Sequence, residues 1–213
     1  LASGVVQGIL GYTHSCIEDL SIMRSIPGIT VLSPADCTET AKAINAALEY
    51  NGPVYIRLTG GSSNPAVYKD DYDYKIGKAI KLKKGNEVSL IATGTMVHVC
   101  LDVANKLEEQ GISTEVIDMH TIKPIDDKMI KLVCDYAKLV VTVEEHNVIG
   151  GLGSAIAEIL MNENLYVVCG QIGIKDQYSS VVGDQNYLRK YYGLDSQAIV
   201  NKANSLIRLK KPF

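Results

Sequence analysis

The residues whose types and spacing could most readily do chemistry are Gly11-Tyr12-Thr13-His14, which stand just before a segment with helical spacing. An imidazole titrates near neutrality and can take up or release a proton at physiological pH. A lone histidine before a helix is more often a cap or packing residue. The glycine-rich run SGVVQGILG that precedes it instead favours a loop lining a ligand pocket, because such loops commonly do so at strand-to-helix edges. Both interpretations of His14 remain open on these residues alone.

Two acids follow His14 in the first turn of the expected helix. Glu18 and Asp19 place negative charge where the helix dipole favours it, so we interpret them as structural.

A second glycine cluster lies in the run VTVEEHNVIGGLGSAIAEIL, where a strand precedes Gly150-Gly151-Leu152-Gly153 and a helix follows. Glycines before a helix can present bare N–H groups to a phosphate. In a dinucleotide fingerprint, however, the glycines begin directly after the strand, whereas here Glu144 to Ile149 intervene. The spacing therefore disfavours a nicotinamide or flavin site. The strand–glycine–helix turn in IATGTMVHV is likewise too common a pattern to indicate a cofactor site.

These residues must be positioned by alternating helices and strands. In the first sixty residues the pattern predicts helix 17–26, strand 29–33, a helix over 35–50 capped near Asp36 or Thr38, and strand 54–58. Further along, it predicts strands over 87–94, 113–120, 138–145 and 166–174, and helices over 96–110, 127–137, 154–163 and 195–209. Strands separated by helices of this length predict an α/β fold with a mostly parallel sheet covered on both faces.

The composition changes over GGSSNPAVYKDDYDYKIG, where no apolar period survives. We expect a linker at 61–77 between an N-terminal unit over 1–60 and a C-terminal unit over 78–213. Its tyrosines suggest that the linker lies against a surface. The N-terminal unit has only two clear strands, too few to bury two helices in a sheet of its own. It is therefore expected to be the back half of a domain.

The bulk composition excludes several classes of protein. A net charge of −3 over 213 residues, without a lysine or arginine run, argues against nucleic-acid binding. No apolar stretch approaches the ~20 residues of a membrane span, and the first residues lack the pattern of a signal peptide. Five cysteines without a C-x-x-C pair suggest reduced thiols and a cytoplasmic location. The four histidines are too dispersed for a local metal signature.

Several motifs together resemble the transketolase-like family, and most closely the separate C-terminal subunits of split transketolases. They are GYTHSCIEDLSIMRSIPGITVLSPAD, GPVYIRL, IATGTMV, IDMHTIKPID and VTVEEHNVIGGLGSAIAEIL, which run nearly from end to end of the chain. The resemblance implies the second half of a thiamin-pyrimidine-binding domain, over about 1–60, followed by a transketolase C-terminal domain over about 78–213. This agrees with the incomplete first unit.

The resemblance also implies the chemistry. In such enzymes thiamin diphosphate lies between two chains and carries a two-carbon unit between sugars. A diphosphate-binding partner subunit would hold its phosphates and Mg²⁺, in a homodimer or heterotetramer, and an activating glutamate would lie in the missing front half. His14 matches the family's T-H histidine and would be catalytic, hydrogen-bonding substrate oxygens. Leu10, Gly11, Tyr12 and Thr13 would line the same site, which contains no metal ligand from this chain.

The sequence departs from sugar-phosphate transketolases at three positions. Ala2 and Leu10 stand where those enzymes carry a histidine and an aspartate, and Gly60 stands where they carry a phosphate-binding arginine. Arg57, inside the expected strand, is not that arginine. Each missing charged contact is worth roughly 1.5–3 kcal/mol. We therefore expect a less charged ketose or a sugar-modification pathway as the setting, not ordinary pentose phosphates.

Two alternatives remain. The β subunit of a 2-oxo acid dehydrogenase shares this fold, cofactor and histidine, although the run IEDLSIMRSIPG favours the transketolase side. A non-catalytic assembly module is the alternative from another class, because the C-terminal domain chiefly stabilises dimers in this family.

Overall fold

The computed structural model describes residues 3–59 and 64–209. The helices are α1 (Asp19–Ser25), α2 (Cys37–Glu49), α3 (Met96–Glu108), α4 (Asp127–Tyr136), α5 (Leu152–Asn162), α6 (Gln185–Tyr191) and α7 (Ser196–Leu209). The strands are β1 (Thr30–Leu32), β2 (Val54–Ile56), β3 (Ile80–Lys83), β4 (Val88–Ala92), β5 (Thr114–Asp118), β6 (Thr121–Lys123), β7 (Leu139–Asn147) and β8 (Val168–Ile174). None of the helices in these ranges is long and apolar enough to cross a membrane.

The larger sheet has five strands in the order β3-β5-β4-β7-β8. Four strands, β5, β4, β7 and β8, are parallel to one another. The fifth, β3, lies at the edge and pairs antiparallel with β5. The expected mostly parallel sheet is therefore confirmed, with one antiparallel edge strand that the sequence pattern did not predict. The short segment IKLK alternates lysines with apolar residues and gives only a weak strand signal.

Different helices cover the two faces of this sheet. Leu90 of β4 and Val141 of β7 belong to the apolar core that includes α3 and α7. Their neighbours Ile91 and Val140 belong to a second core that includes α4 and α5. Because successive side chains of a strand point to opposite faces, both faces are apolar and both are buried.

The smaller sheet contains β2, β1 and β6 in that order. β1 is parallel to β2, while β6 pairs antiparallel with β1 although it comes from the C-terminal half of the chain. Lys123 at the end of β6 donates to the carbonyl oxygens of Arg24 and Ile26, at 2.9 and 2.6 Å. The two strands of the N-terminal unit thus gain a third strand from the other half. In the sequence, TIKPID stands out only as a proline-bounded segment.

The described part of the expected linker, 64–77, contains no helix or strand. Asp36 fixes it to α2. One oxygen of Asp36 caps the helix by accepting from the Glu39 N–H at 2.8 Å, as one of the two predicted caps requires. The other accepts from the N–H groups of Val67 and Tyr68, at 2.7 and 3.0 Å. The segment therefore lies against the protein surface.

Two buried carboxyl groups meet where this segment, α2 and β5 come together. Glu39 and Asp118 are both fully buried, and the titration of each carboxyl affects that of the other. Tyr72 donates to Glu39 at 3.2 Å, and Tyr68 donates to Asp118 at 2.7 Å. Burial raises the pKa of both carboxyls, that of Glu39 to about 7. At pH values up to about 7 the pair therefore holds a proton that two exposed carboxylates would have lost.

This pair should make the protein less stable as pH rises. Glu39 ordinarily ionises at 4.5, so the folded state begins to lose stability above that pH and bears the full cost above about 7. Glu39→Gln supplies a permanent donor to Asp118 and should flatten the dependence of melting temperature on pH between 5 and 9, leaving the variant several degrees more stable than wild type at pH 9.

Thermal unfolding of both proteins across this range is the measurement. Glu49→Gln, an exposed position at the end of the same helix, is the control. Melting temperatures that change with pH in the same way in wild type and in Glu39→Gln would contradict the proposal that this pair retains a proton.

Candidate functional site

His14 lies on a closed loop. Gly4 and Cys16 exchange two backbone hydrogen bonds, of 2.7 and 3.0 Å, and so bring both ends of residues 5–15 together. We call residues 5–15 the His14 loop. Two short 3₁₀ turns, Gly8–Leu10 and Tyr12–His14, follow one another within it. Gly11 joins them at a φ of +83°, a conformation that favours glycine.

The His14 side chain is exposed at the end of the second turn. Its Nδ1 lies 3.0 Å from the Thr13 hydroxyl oxygen. This hydrogen bond orients the ring and leaves Nε2 for a bound molecule. An oriented imidazole that is open on one side can exchange a proton with a substrate.

The other predicted lining residues lie on the same His14 loop. Leu10, Tyr12 and Thr13 are exposed, and Gly11 is partly buried between them. The structure thus places all five predicted residues at consecutive positions of the His14 loop, as their adjacency in the chain requires.

A patch of exposed apolar side chains surrounds the turn. The Tyr12 and Tyr178 rings lie 6.4 Å apart, and Val182 stands beside Gly11. More than half of the surface of each side chain in this group remains open to solvent. We call it the Tyr12 patch; it comprises Ile9, Leu10, Tyr12, Tyr178 and Val182. Contiguous exposed apolar patches of this kind commonly mark protein contact surfaces or ligand-binding sites.

Arg57 is buried and paired with Asp19. β2 ends at Ile56, one residue before Arg57, so the expectation that this arginine lies inside the strand is wrong by one position. Its guanidinium bonds both oxygens of Asp19, at 2.8 and 3.0 Å. Burial alone would raise the pKa of Asp19, but the charge and hydrogen bonds of Arg57 outweigh it and lower that pKa. Asp19 is therefore structural, and the Nε and Nη2 groups of Arg57 are bound within the protein.

Three positions of this chain carry residues that differ from those of the sugar-phosphate transketolases. Ala2 and Gly60 lie outside the described residues, while Leu10 belongs to the Tyr12 patch.

A cavity of about 300 Å³, which the sequence pattern did not predict, lies at the carboxyl ends of β1 and β2. Pro34, Ala35, Leu58 and Thr59 line it, and Thr95 closes it from the C-terminal half. His14 does not belong to this lining.

The GGLG turn holds a carboxylate of the chain itself. The buried Glu144 accepts from the N–H groups of Leu152 and Gly153, at 2.7 and 2.9 Å, in the first turn of α5. A Cβ at Gly151 would stand 1.9 Å from Glu144 Oε2. Burial raises the pKa of Glu144 to about 7. These glycines admit the Glu144 carboxyl to the helix N-terminus, the place where a dinucleotide phosphate would have to lie.

Two family models match the chain. The transketolase pyrimidine-binding domain matches residues 2–64, and the transketolase C-terminal domain matches residues 77–199. The resemblance seen in the motifs is thereby confirmed, and the chain belongs to the transketolase family.

Curated relatives carry related names. The chain is 36% identical over 206 residues to a subunit of the apulose-4-phosphate transketolase of Actinobacillus succinogenes, covering 97% of this chain and 66% of the relative. It is 40% identical over 209 residues to the 6-deoxy-6-sulfo-D-fructose transketolase subunit SqwH of Clostridium sp., covering 97% of this chain and 63% of the relative. The chain thus spans slightly less than two thirds of the length of these relatives.

Solved structures agree with the fold. A split-gene transketolase, described as an inactive β4 tetramer, superimposes with a TM-score of 0.86 at 36% identity, covering 98% of this chain and 65% of that one. The transketolase of Campylobacter jejuni gives a TM-score of 0.72 at 26% identity, over 95% of this chain and 30% of that one.

The role of Glu144 can be tested at Gly151. Gly151→Ala should displace the carboxylate from the amides of Leu152 and Gly153 and lower the free energy of unfolding by about 1–3 kcal/mol, the cost of leaving buried groups unpaired. Urea unfolding measures this loss. Asn162→Ala, an exposed position at the end of the same helix, is the control and should change stability little. An unchanged Gly151→Ala protein would contradict the packing of Glu144 against this glycine.

Proposed function

We propose that this chain is part of the pyrimidine-side subunit of a split, thiamin-diphosphate-dependent transketolase-like enzyme, which transfers a two-carbon ketol unit between sugars. Family membership and the names of the relatives support the reaction class. The observation in this chain that carries the proposal is His14, an exposed imidazole oriented by Thr13 on a closed loop.

The residues present fit one side of such a cofactor site. The exposed imidazole of His14 can meet a bound substrate. Among the described residues, no group of three His, Cys, Asp or Glu side chains is placed to hold a metal ion. On the family resemblance we assign Mg²⁺ and the diphosphate to a partner subunit. When bound, the cofactor supplies the electron sink for breaking and making the carbon–carbon bond.

His14 would act on the substrate's oxygens. Its Nε2 would donate a proton to, or accept one from, a sugar hydroxyl or carbonyl oxygen, while Thr13 holds Nδ1 and so fixes the direction of the ring. Gly11 allows the turn that presents this ring, because its φ of +83° costs other residues strain.

The Tyr12 patch supports the need for a partner. Its apolar side chains flank His14, and a diphosphate-binding subunit seated there would cover them and exclude water from the site. We propose a cytoplasmic assembly in which each site is completed by such a subunit, as a homodimer or a heterotetramer.

The substrate is proposed to be a modified sugar. The two relatives are named for apulose-4-phosphate and 6-deoxy-6-sulfo-D-fructose. Arg57 is held by Asp19, and Leu10 presents an apolar side chain where sugar-phosphate transketolases carry an aspartate. Both features favour a sugar other than the ordinary pentose phosphates.

Substitution of His14 tests this function. In the full-length subunit with its partner, His14→Ala should lower kcat by roughly 10²–10⁴, the usual contribution of a positioned acid–base group. Its melting temperature should barely change, because the side chain is exposed and bonds only Thr13 among the described residues.

Thr13→Val, which removes the group that orients the ring, should cause a smaller loss of kcat. A His14→Ala subunit that melts several degrees lower and turns over normally would show that the histidine packs and does not act. Assays with a ketose donor and with pyruvate plus lipoamide separate the proposal from an oxo acid dehydrogenase, and inactivity of the wild-type assembly with both would favour an assembly module.

A further inference from the structure

The strand end that carries the VEEHN motif touches the base of the His14 loop. Glu145, near the carboxyl end of β7, is 1% exposed. Its Oε1 accepts from the Val5 N–H at 2.9 Å, at the start of the loop. Gln185 and Arg189 of α6 donate to the same carboxylate, Arg189 at 2.6 Å. A single buried carboxylate therefore joins the His14 loop to α6 of the C-terminal half.

The next two residues of β7 hold the chain just beyond the loop. The Asn147 N–H donates to the Ile17 carbonyl oxygen at 2.7 Å. His146 Nε2 accepts from the Leu20 N–H at 3.1 Å, so its ring proton resides on Nδ1, which donates to the Asn147 carbonyl oxygen at 2.6 Å. Burial lowers the pKa of His146 to about 4, which keeps the ring neutral and Nε2 free to accept.

α6 and the residues before it contact the middle of the loop. The Gly183 N–H donates to the Gly8 carbonyl oxygen at 3.3 Å. A Cβ at Gly8 would stand 1.9 Å from Leu188 Cδ1 and 2.8 Å from the Gly183 carbonyl oxygen. Only glycine allows the loop to approach α6 this closely.

We infer that Glu145 is a positioning residue, which together with α6 fixes the His14 loop in the place that catalysis requires. This inference rests on the proposed function and assigns the C-terminal domain a part in the active site beyond assembly. The loop consists of two short 3₁₀ turns and depends on these outside contacts for its position. A displacement of about 1 Å at a reacting group can cost 10²-fold in rate.

Glu145→Gln tests the inference without changing side-chain volume. The amide oxygen will face the cationic Arg189, which turns the NH₂ group toward the Val5 N–H and sets two donors against each other. Glu144→Gln is the matched control, since it makes the same substitution one residue earlier on the same strand, where the carboxyl caps α5 and does not touch the loop.

Two measurements separate the variants. Hydrogen exchange of the backbone amides over residues 5–11 should become at least 10-fold faster in Glu145→Gln and should not change in Glu144→Gln. In the full-length subunit with its partner, kcat of Glu145→Gln should fall about 10- to 100-fold with KM nearly unchanged, because His14 is proposed to act on the reacting groups and not to hold the ground state. Loop exchange or kcat equal to that of Glu144→Gln would overturn the inference.

Gly8→Ala provides a second route if Glu145→Gln does not fold. It should also speed exchange over residues 5–11 and lower kcat, because the added methyl would stand against the Leu188 side chain and the Gly183 carbonyl oxygen. Wild-type exchange and kcat in Gly8→Ala would overturn the inference. The exchange experiment needs neither cofactor nor partner, so its failure is distinct from failure of the proposed function, which His14→Ala tests.

Discussion

The buried guanidinium of Arg57 joins the parts of this protein on which the candidate site depends. Besides its two bonds to Asp19 at the start of α1, it donates to the carbonyl oxygens of Cys16, at 3.2 Å, and Glu145, at 3.1 Å. It follows β2 directly, so one side chain connects the small sheet, α1, the end of the His14 loop and β7. A buried charge is tolerated only when it is paired and hydrogen-bonded, and removing its partner typically costs about 3–5 kcal/mol. The geometry around Arg57 is therefore tightly constrained.

The two halves of the chain are joined by polar groups as well as by packing. Glu145 and Asp118 are carboxyl groups within 1% of full burial; Glu145 accepts from Val5 of the N-terminal unit, and Asp118 accepts from Tyr68 of the linker. Directional bonds of this kind specify one arrangement of neighbouring elements, whereas apolar contacts tolerate small shifts. A loop that is proposed to present His14 to a molecule held by another subunit would benefit from such a fixed base.

Much of the fold could be predicted from local pattern. α2 and α3 have a clear helical period, the apolar runs of β4 and β7 indicate buried strands, and Asp36 caps α2 as one of two predicted candidates. The pairing of β6 with β1 could not be predicted, because Val31 and Lys123 are far apart in sequence and β6 has only three residues. α6 was missed although Asp184 caps it, since its seven residues include one fully buried apolar side chain, Leu188.

The candidate site shows the same limit. The turn that carries His14 is continuous in sequence, so its members could be named together, and the family resemblance selected the histidine. The contact between Glu145 and Val5 spans 140 residues and leaves no local signal. Gly8 and Gly151 did give a local signal in the sequence. A glycine that does not need a positive φ often marks a close approach of another group.

The most direct test of the account follows the His14 ring while the partner binds. The ¹⁵N-histidine NMR spectrum of the full-length subunit can be recorded before and after addition of a diphosphate-binding subunit loaded with thiamin diphosphate and Mg²⁺, with the His14 signal assigned by its loss in His14→Gln. The account predicts that the His14 signal shifts on binding, while those of the buried His120 and His146 stay in place. A complex that forms, as judged by sedimentation, with the His14 signal unchanged would contradict the claim that this chain presents His14 to the active site.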